Sequence, residues 1–546
     1  MFESSMQSED LDLVLQTLRD FQKRRLDEKT LLALDREGRC PEEIIREMMS
    51  PDVGIHLAFI PAAYGGLGGG AREIFRISEC VAGMDLGIAT SLLGVSLGTD
   101  PLRVGGTDAQ KDRWMRQVAE RGLVVAYAVT EPSVGSDLAG IRATATPVVE
   151  NGQTVAYLLN GNKQFITNGG IADLYTVLAN APGGPSFFVV EKGVSGLTAG
   201  PPEHKHGIRA SNTTALCLEN VRVPAEALIG GQEGQGLRQA QMVFGYTRVM
   251  VAAFSLGCGA TAVGRAALYG RDRVQGGAPL CQHAGWSHKL IVPHTVSLEA
   301  SRAYIEDLSR RLDRQEPDLE VEGAIAKLTA SEAANAAAEA AIQAHGGYGY
   351  IHDYQVEKLK RDVRITLIYE GTSEILQRTI ARDRWRRHLQ TAGRFYSDLA
   401  REMESIEAAK PGCGGAAAAL SASALKEILE ACRMAHLTRH QHILFSLGAL
   451  CARAEVAAVF ARKAASGQTD TSRLDAQTLC AASRLWARRA ARDIVAEGTA
   501  LVAGGKALAG DGLRSFEARL NLPAIHDSFA GEIDDMDALA RFVNQN

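Results

Sequence analysis

Apolar residues recur at helical spacing over most of this chain, with one long interruption. Residues 1 to about 122 read mostly helical, as in LDLVLQTLRDF near the start and DAQKDRWMRQVAERG before Gly122. The glycine-rich stretch from Tyr64 to Gly70 reads as a turn, because no βαβ pattern surrounds it. From Val124 to about Leu228 the pattern changes to short β-rich runs: VVAYAVT, TVAYLLN, KQFIT, LYTVLA, SFFVV and ALCLENVRV. Asn151-Gly152 and Asn160-Gly161 stand between them as turn signals. Strands that follow one another without helices predict a mainly antiparallel sheet or barrel. From Gly236 to about Leu389 the helical period returns, and GAIAKLTASEAANAAAEAAIQAHGG predicts a long helix stopped at Gly346-Gly347. Lys410 to Gly415 reads as a linker into a tail where Leu425, Ile428, Leu429 and Cys432 keep the spacing of one helix face. The division is therefore 1–122 helical, 123–232 β, 233–390 helical bundle and 391–546 helical tail.

Composition narrows the classes without choosing among them. At 546 residues, 46% hydrophobic and 23% charged, the chain is ordinary globular protein with room for several domains. A net charge of −5 and a pI of about 6.3 give no electrostatic case for nucleic acid. The nine cysteines are scattered and form no CxxC pair, against both a disulfide framework and a zinc site. The histidines at 204, 206, 283, 288 and 294 lack metal-ligand spacing. The N-terminal MFESSMQSEDLDL has neither signal-peptide nor transit-peptide character, and no uninterrupted apolar run approaches the ~20 residues of a membrane span. A bacterial-type cytoplasmic location is the expectation.

Three segments offer chemistry. Tyr127 to Gly140 leaves a β run for a loop where Thr130, Ser136 and amides near Gly135 can donate hydrogen bonds; by composition it also reads as a plain turn. Lys163 to Gly170 can set the ring of Phe165 and the hydroxyl of Thr167 against a planar ligand, or simply end a strand. In Ile368-Tyr-Glu-Gly-Thr-Ser-Glu-Ile375, Thr372 or Ser373 is a natural N-cap for a helix whose free N–H groups suit a phosphate. Glu370 beside it can serve as a base if its pocket is apolar, or remain a solvated loop acid.

Taken together with Pro61-Ala-Ala-Tyr-Gly-Gly66, Lys205-His-Gly-Ile-Arg-Ala-Ser211, Val221-Arg-Val-Pro224, Arg273 with Gln275 and Gly277, and the run from Gln343 to Arg382, these segments resemble the acyl-CoA dehydrogenase family in order and spacing, over roughly residues 40 to 388. The resemblance implies an α+β, mostly α fold: a helical N-terminal domain, a central β-barrel domain and a C-terminal four-helix bundle, here with an extra helical tail. It also implies FAD as cofactor, acyl-CoA as substrate, trans-2-enoyl-CoA as product and an electron-transfer flavoprotein as acceptor, as in fatty acid β-oxidation.

Residue by residue, the resemblance puts Glu370 in the place of the base that removes the α-proton, with the thioester oxygen hydrogen-bonded by the flavin ribityl hydroxyl and the glutamate N–H. Some branches carry the base just before an arginine on an earlier helix; here Thr247 precedes Arg248 and cannot take that role. Tyr127, Val129, Thr130, Phe165 and Thr167 are implied to line the flavin, and Gly135 and Ser136 to approach its phosphates or the substrate. Arg248, Ser136, Tyr369 and Gly371 are implied on the substrate side. Arg273, Gln343 and Gly347 are implied to reach the FAD of a neighbouring subunit, and Thr372 and Glu374 the pyrophosphate and adenosine end. The chain departs from the family at Gly276 (usually Phe), Gly245 (Asp in some branches), Ala284 (commonly Gln) and Phe165 (usually Trp).

The tail beyond about residue 394 resembles the very-long-chain branch in architecture, which implies a homodimer, with a tetramer as the other arrangement, and tilts the substrate toward long chains. Its 18 basic and 18 acidic residues argue against a DNA-binding relative. Arg484, Arg488, Arg489 and Arg492 form either a solvated helix face or a contact for membrane headgroups, and Ile443 to Leu450 either bundle core or a membrane foot. The rival readings are an acyl-CoA oxidase or flavin monooxygenase on the same fold, and a non-catalytic relative that binds flavin or nucleic acid.

Overall fold

The computed structural model describes residues 6–545 apart from residues 51, 470, 507 and 509, and apart from the side chains of 8 and 244–246, among which the Gly245 departure falls. The chain forms two compact units. Unit 1 comprises residues 1–258, 309–317 and 361–365; unit 2 comprises 259–308, 318–360 and 366–546. The helix Gly236–Asp272 runs from the first unit into the second.

In unit 1, helices such as Ala71–Met84 and Leu86–Gly105 precede a seven-stranded sheet. Its strands are β1 Val125–Ala128, β2 Thr144–Glu150, β3 Gln153–Thr167, β4 Leu174–Ala181, β5 Gly184–Glu191, β6 Leu197–Ala199 and β7 Thr213–Pro224. The ladders β2–β3, β3–β7, β4–β5 and β6–β7 are antiparallel, while β1 runs parallel to β4. Both β1 and β2 pair with β4, at Val125↔Leu174 through Ala128↔Val177 and at Thr144↔Asn180. The path ends at β1 and β6, so the expected barrel is a curled half-barrel rather than a closed ring.

One of the two turn signals folds as read. Asn151 and Gly152 have φ of 51° and 78°, the two positive values a type I′ hairpin requires, and they join β2 to β3. Asn160-Gly161 makes no turn. TVAYLLN and KQFIT are one continuous strand, and Gly161 sits at an irregularity in its pairing with β7. A Cβ on Gly161 would lie 2.8 Å from the Ala143 Cα, so the glycine answers a close strand approach. β2 is not among the β runs read in the sequence; its Pro147 faces Tyr157 of β3, and the pairing of β2 with β4 is at Thr144.

Unit 2 is helical. Its Ala-rich helix Glu320–His345 ends at Gly346, φ +61°, as read. The tail helices Arg394–Ala409, Gly415–Met434, Gln441–Ser466 and Ala476–Gly504 pack together around a core mostly of alanines, Ala418, Ala422, Ala457 and Ala487 among them, with Met403. Lys410 to Gly415 is a fastened corner rather than a linker. Cys413 is fully buried, and the Glu407 carboxylate accepts from the Gly412 and Ala416 amides at 2.5 and 3.2 Å.

Among the described residues, two helices, Gly236–Asp272 and Gln441–Ser466, are long and apolar enough to cross a membrane by length and composition, although charged residues interrupt both. In Gln441–Ser466 the apolar run is core: a Cβ on Gly448 would lie 2.1 Å from the Gln377 carbonyl oxygen, so this helix crosses Ser373–Gln390 in direct backbone contact. The tail arginines are not a bare cationic face. Arg484 and Arg488 both bond Asp535 on the helix Glu532–Gln545, Arg488 at 2.7 Å, and Arg492 pairs with Asp493 at 2.9 Å. The headgroup reading loses Arg484 and Arg488 to Asp535.

Candidate functional site

The candidate residues divide between the two units, and each set has its own supports. In unit 1 the chain leaves β1 through Val129 and Thr130, enters the loop at Glu131 and returns at Arg142 and Ala143. Tyr127 is half-buried, its ring 5.7 Å from that of Phe187. Gly135 and Ser136 are exposed, and nothing lies within 4 Å of where a Gly135 Cβ would be, leaving room for a ligand against the backbone.

The loop is pinned by a pair the sequence reading did not single out. Lys163, wholly buried, donates from Nζ to Glu131 Oε1 at 2.8 Å and to the Val129 carbonyl at 3.1 Å. Glu131 also accepts from the Arg142 amide at 2.7 Å and the Ala143 amide at 2.9 Å. Burial alone would push Glu131 up, but Lys163 and the two amides reverse this and hold its carboxyl below the usual range. The sequence did hold a signal: a lysine at an inward position of an alternating strand.

Phe165 stands at a β-bulge. Between Lys163↔Leu216 and Ile166↔Thr214, β3 carries one residue more than β7, and Phe165 takes φ +59°. That value is an outlier for a bulky side chain and costs on the order of 1–3 kcal/mol. The strained backbone turns the ring outward, 64% exposed. Thr167 is half-buried at the end of β3, followed by Asn168, whose Nδ2 donates to the Ser91 carbonyl at 2.8 Å. Thr247 and Arg248 are both buried on the helix Gly236–Asp272.

In unit 2, Tyr369, Glu370, Gly371 and Thr372 form a short loop before the helix Ser373–Gln390. Glu370 and Gly371 take φ of +56° and +96° in succession. A glutamate in the left-handed region is uncommon, and the neighbours impose it. Buried Lys327 donates to the Gly371 carbonyl at 2.7 Å, and Ser373 Oγ donates to Glu332 at 2.7 Å. Thr372 is the N-cap, its Oγ1 accepting from the Ile375 amide at 3.4 Å. Glu374 is exposed on the first turn. Lys327 and Glu332 also escaped the sequence reading; a lysine on the small-residue face of an Ala-rich helix was the available signal.

Also in unit 2, a cavity of about 570 Å³ brings Arg273, Gln343 and Gly347 together. Tyr269, His345, Trp286 and Tyr348 give it an aromatic lining. Tyr269 and His345 stack at 4.4 Å, and the Arg273 guanidinium lies 5.8 Å from the Tyr348 ring centre. Burial holds His345 below its usual range, and its Nδ1 lies 2.8 Å from the Ala341 carbonyl. Gly276 and Gly277, φ +59° and +85°, make the two-residue turn between strands β8 Val274–Gln275 and β9 Ala278–Pro279. A phenylalanine at 276 would have to adopt that positive φ, which explains why glycine stands there.

Within unit 1, an outward flat ring on a bulge and a loop open at Gly135 fit a flavin; within unit 2, a capped helix start fits a phosphate, and an aromatic cavity lined also by an arginine and a glutamine fits a nucleotide, so each set by itself fits part of FAD. Among the described residues no group of three His, Cys, Asp or Glu side chains is placed to hold a metal ion.

Comparison with known proteins gives the class. The chain matches the acyl-CoA dehydrogenase N-terminal domain over residues 8–121, the middle domain over 126–221 and the C-terminal domain over 234–384. It belongs to the acyl-CoA dehydrogenase family, whose members are FAD-dependent oxidoreductases. It is 36% identical over 370 residues to the short-chain specific acyl-CoA dehydrogenase of Megasphaera elsdenii, covering 66% of this chain and 94% of that protein. It is 35% identical over 336 residues to the mitochondrial very long-chain specific acyl-CoA dehydrogenase of Homo sapiens, covering 59% of this chain and 50% of that one. The solved acyl-CoA dehydrogenase of Bacillus anthracis, complexed with FAD, superposes with a TM-score of 0.81 at 23% identity, over 98% of this chain and 96% of that one. That fold likeness takes in the tail.

Proposed function

We propose that this chain oxidises the Cα–Cβ bond of an acyl-CoA to a trans-2-enoyl-CoA, with Glu370 as the base, FAD as its cofactor and an electron-transfer flavoprotein as the next electron carrier. The observation that carries the reading is the backbone at Glu370. A carboxylate held at φ +56°, with its following carbonyl tied to buried Lys327, is a constrained group of the kind that marks reaction centres. When bound, FAD supplies the acceptor for the hydride that leaves the β-carbon.

The chain supplies the rest. Glu370 takes the α-proton, and its own N–H is a donor to the thioester oxygen as negative charge builds there. Phe165, Thr167, Tyr127, Val129 and Thr130 form the flavin-facing surface of unit 1, and Gly135 and Ser136 leave backbone and hydroxyl donors open to phosphate or substrate. Thr372 and Glu374 open the helix whose first N–H groups suit the pyrophosphate. Tyr369, Gly371 and Arg248 stand on the substrate side. The cavity with Arg273, Gln343 and Gly347 takes the nucleotide end of the FAD of a second copy, which makes a homodimer the smallest active form. The helical tail supports a long acyl chain as substrate, and nine cysteines none of which is in a disulfide support a reducing compartment, the cytoplasm.

Anaerobic titration with acyl-CoAs from short to very long, aromatic ones included, tests the reading. The wild-type flavin bleaches with its substrate, while Glu370→Gln keeps FAD and loses turnover by about 10²–10⁴-fold. A near-wild-type rate in that variant overturns the base assignment. Rapid re-oxidation of the reduced protein by air would overturn the electron-transfer flavoprotein as acceptor.

A further inference from the structure

We propose that the buried Lys163–Glu131 pair is a positioning device that sets the flavin-facing edge of unit 1, and through it the affinity for FAD and the flavin's electronic environment. The inference rests on the flavin reading above. Side-chain exposures of 0% and 4% put both groups out of water. Their bonds join three passes of chain: the exit of β1 through the Val129 carbonyl, β3 through Lys163 itself, and the entry to β2 through the amides of Arg142 and Ala143. A fifth bond, from the Gln164 amide to the Thr130 carbonyl at 2.9 Å, runs alongside. Val129 and Thr130 immediately precede Glu131, and Phe165 and Thr167 follow Lys163 by two and four residues. These four candidate flavin contacts therefore all lie within four residues of the pair along the chain.

Stability alone does not call for an ion pair here. Apolar residues of similar volume commonly replace a buried pair without loss. A charge with two fixed acceptors on one segment does what apolar packing cannot: β3 cannot slip against the β1 exit without leaving an ammonium and a carboxylate buried and unmatched. The bulge at Phe165 needs such an anchor, because its strained φ relaxes if either flank can shift. Lys163 holds the flank before it, and Asn168, bonded to the Ser91 carbonyl, holds the one after.

The test strips flavin from the whole protein and titrates FAD back, reading Kd by quenching and the shape of the flavin absorption bands. Lys163→Met with Glu131→Gln removes both charges together, so no lone charge is left buried. This double variant is expected to unfold near the wild-type temperature, bind FAD about tenfold more weakly and show displaced flavin bands. Glu131→Asp, which keeps the charge but withdraws it from the amides of 142 and 143, is expected to weaken FAD several-fold and decides the matter if the double variant does not fold. A folded double variant, or failing that Glu131→Asp, with wild-type Kd and spectrum overturns the inference. Wild-type protein that takes up no FAD overturns the flavin reading itself, and the inference with it.

Discussion

Arg384 grips Glu455 with two parallel bonds, Nε to Oε1 at 2.7 Å and Nη2 to Oε2 at 2.8 Å. The same guanidinium reaches Glu322 at 2.9 Å, and the Tyr396 hydroxyl donates to Glu455 at 3.0 Å. One arginine thus ties the helix that follows the Glu370 loop to the Ala-rich helix and to the tail. Glu455→Leu leaves that cation buried with two of its four bonds gone. The expected loss is about 3–5 kcal/mol, and Arg384→Met in the same chain restores much of it. Urea denaturation of the two variants, with hydrogen exchange across Gln441–Ser466, checks this.

Lys327 holds the Gly371 carbonyl, one residue beyond the proposed base. Lys327→Met frees that peptide and lets Glu370 leave its left-handed conformation. Displacement of a reacting group by about 1 Å costs on the order of 10²-fold, so kcat falls by about that factor while KM changes little. Steady-state kinetics on the folded variant show it; equal losses in kcat and in bound flavin would assign Lys327 to folding alone.

Gly448 leaves no room for a side chain against the Gln377 carbonyl. Gly448→Ala forces the tail helix away from Ser373–Gln390 and is expected to destabilise by about 1–3 kcal/mol despite alanine's better helix propensity. Thermal unfolding settles the sign: a stabilised Gly448→Ala would mean the two helices do not cross this closely in solution.

His294 provides a pH dependence. Burial, with Arg489 adding its charge, pulls the imidazole down from 6.5 to about 4. The unfolded chain therefore binds this proton more readily between about pH 6.5 and 4. Its contribution is full above pH 6.5, is lost progressively on acidification and levels off near pH 4, at most about 3 kcal/mol. Urea midpoints at pH 7.5 and 4.5 should differ less in His294→Gln than in the wild type.

The chain's own pattern was enough for the helical, β, helical order, for the Asn151-Gly152 hairpin, for the helix that stops at Gly346, and for the family that the motifs around Tyr127, Phe165 and Glu370 resemble. These are local matters, since period, turn residues and caps act within a few positions. Asn160-Gly161 shows where that reasoning ends. The dipeptide carries a turn's composition, yet Ala143 at the entry to β2 passes too close for anything but glycine, and the chain runs straight on. The half-barrel's open edge and the arginines spent on Asp535 were settled in the same way, by elements distant in sequence. So were the supports of the site. Lys163 and Lys327 read as ordinary lysines until folding removes the water around them; then each must find buried acceptors, and among those acceptors are the Glu131 carboxylate and the backbone carbonyls beside the proposed flavin face and the proposed base. Periodicity tells a segment which face to bury, but only the assembled interior fixes what that face meets, because the cost of an unmatched charge exists only once solvent is gone.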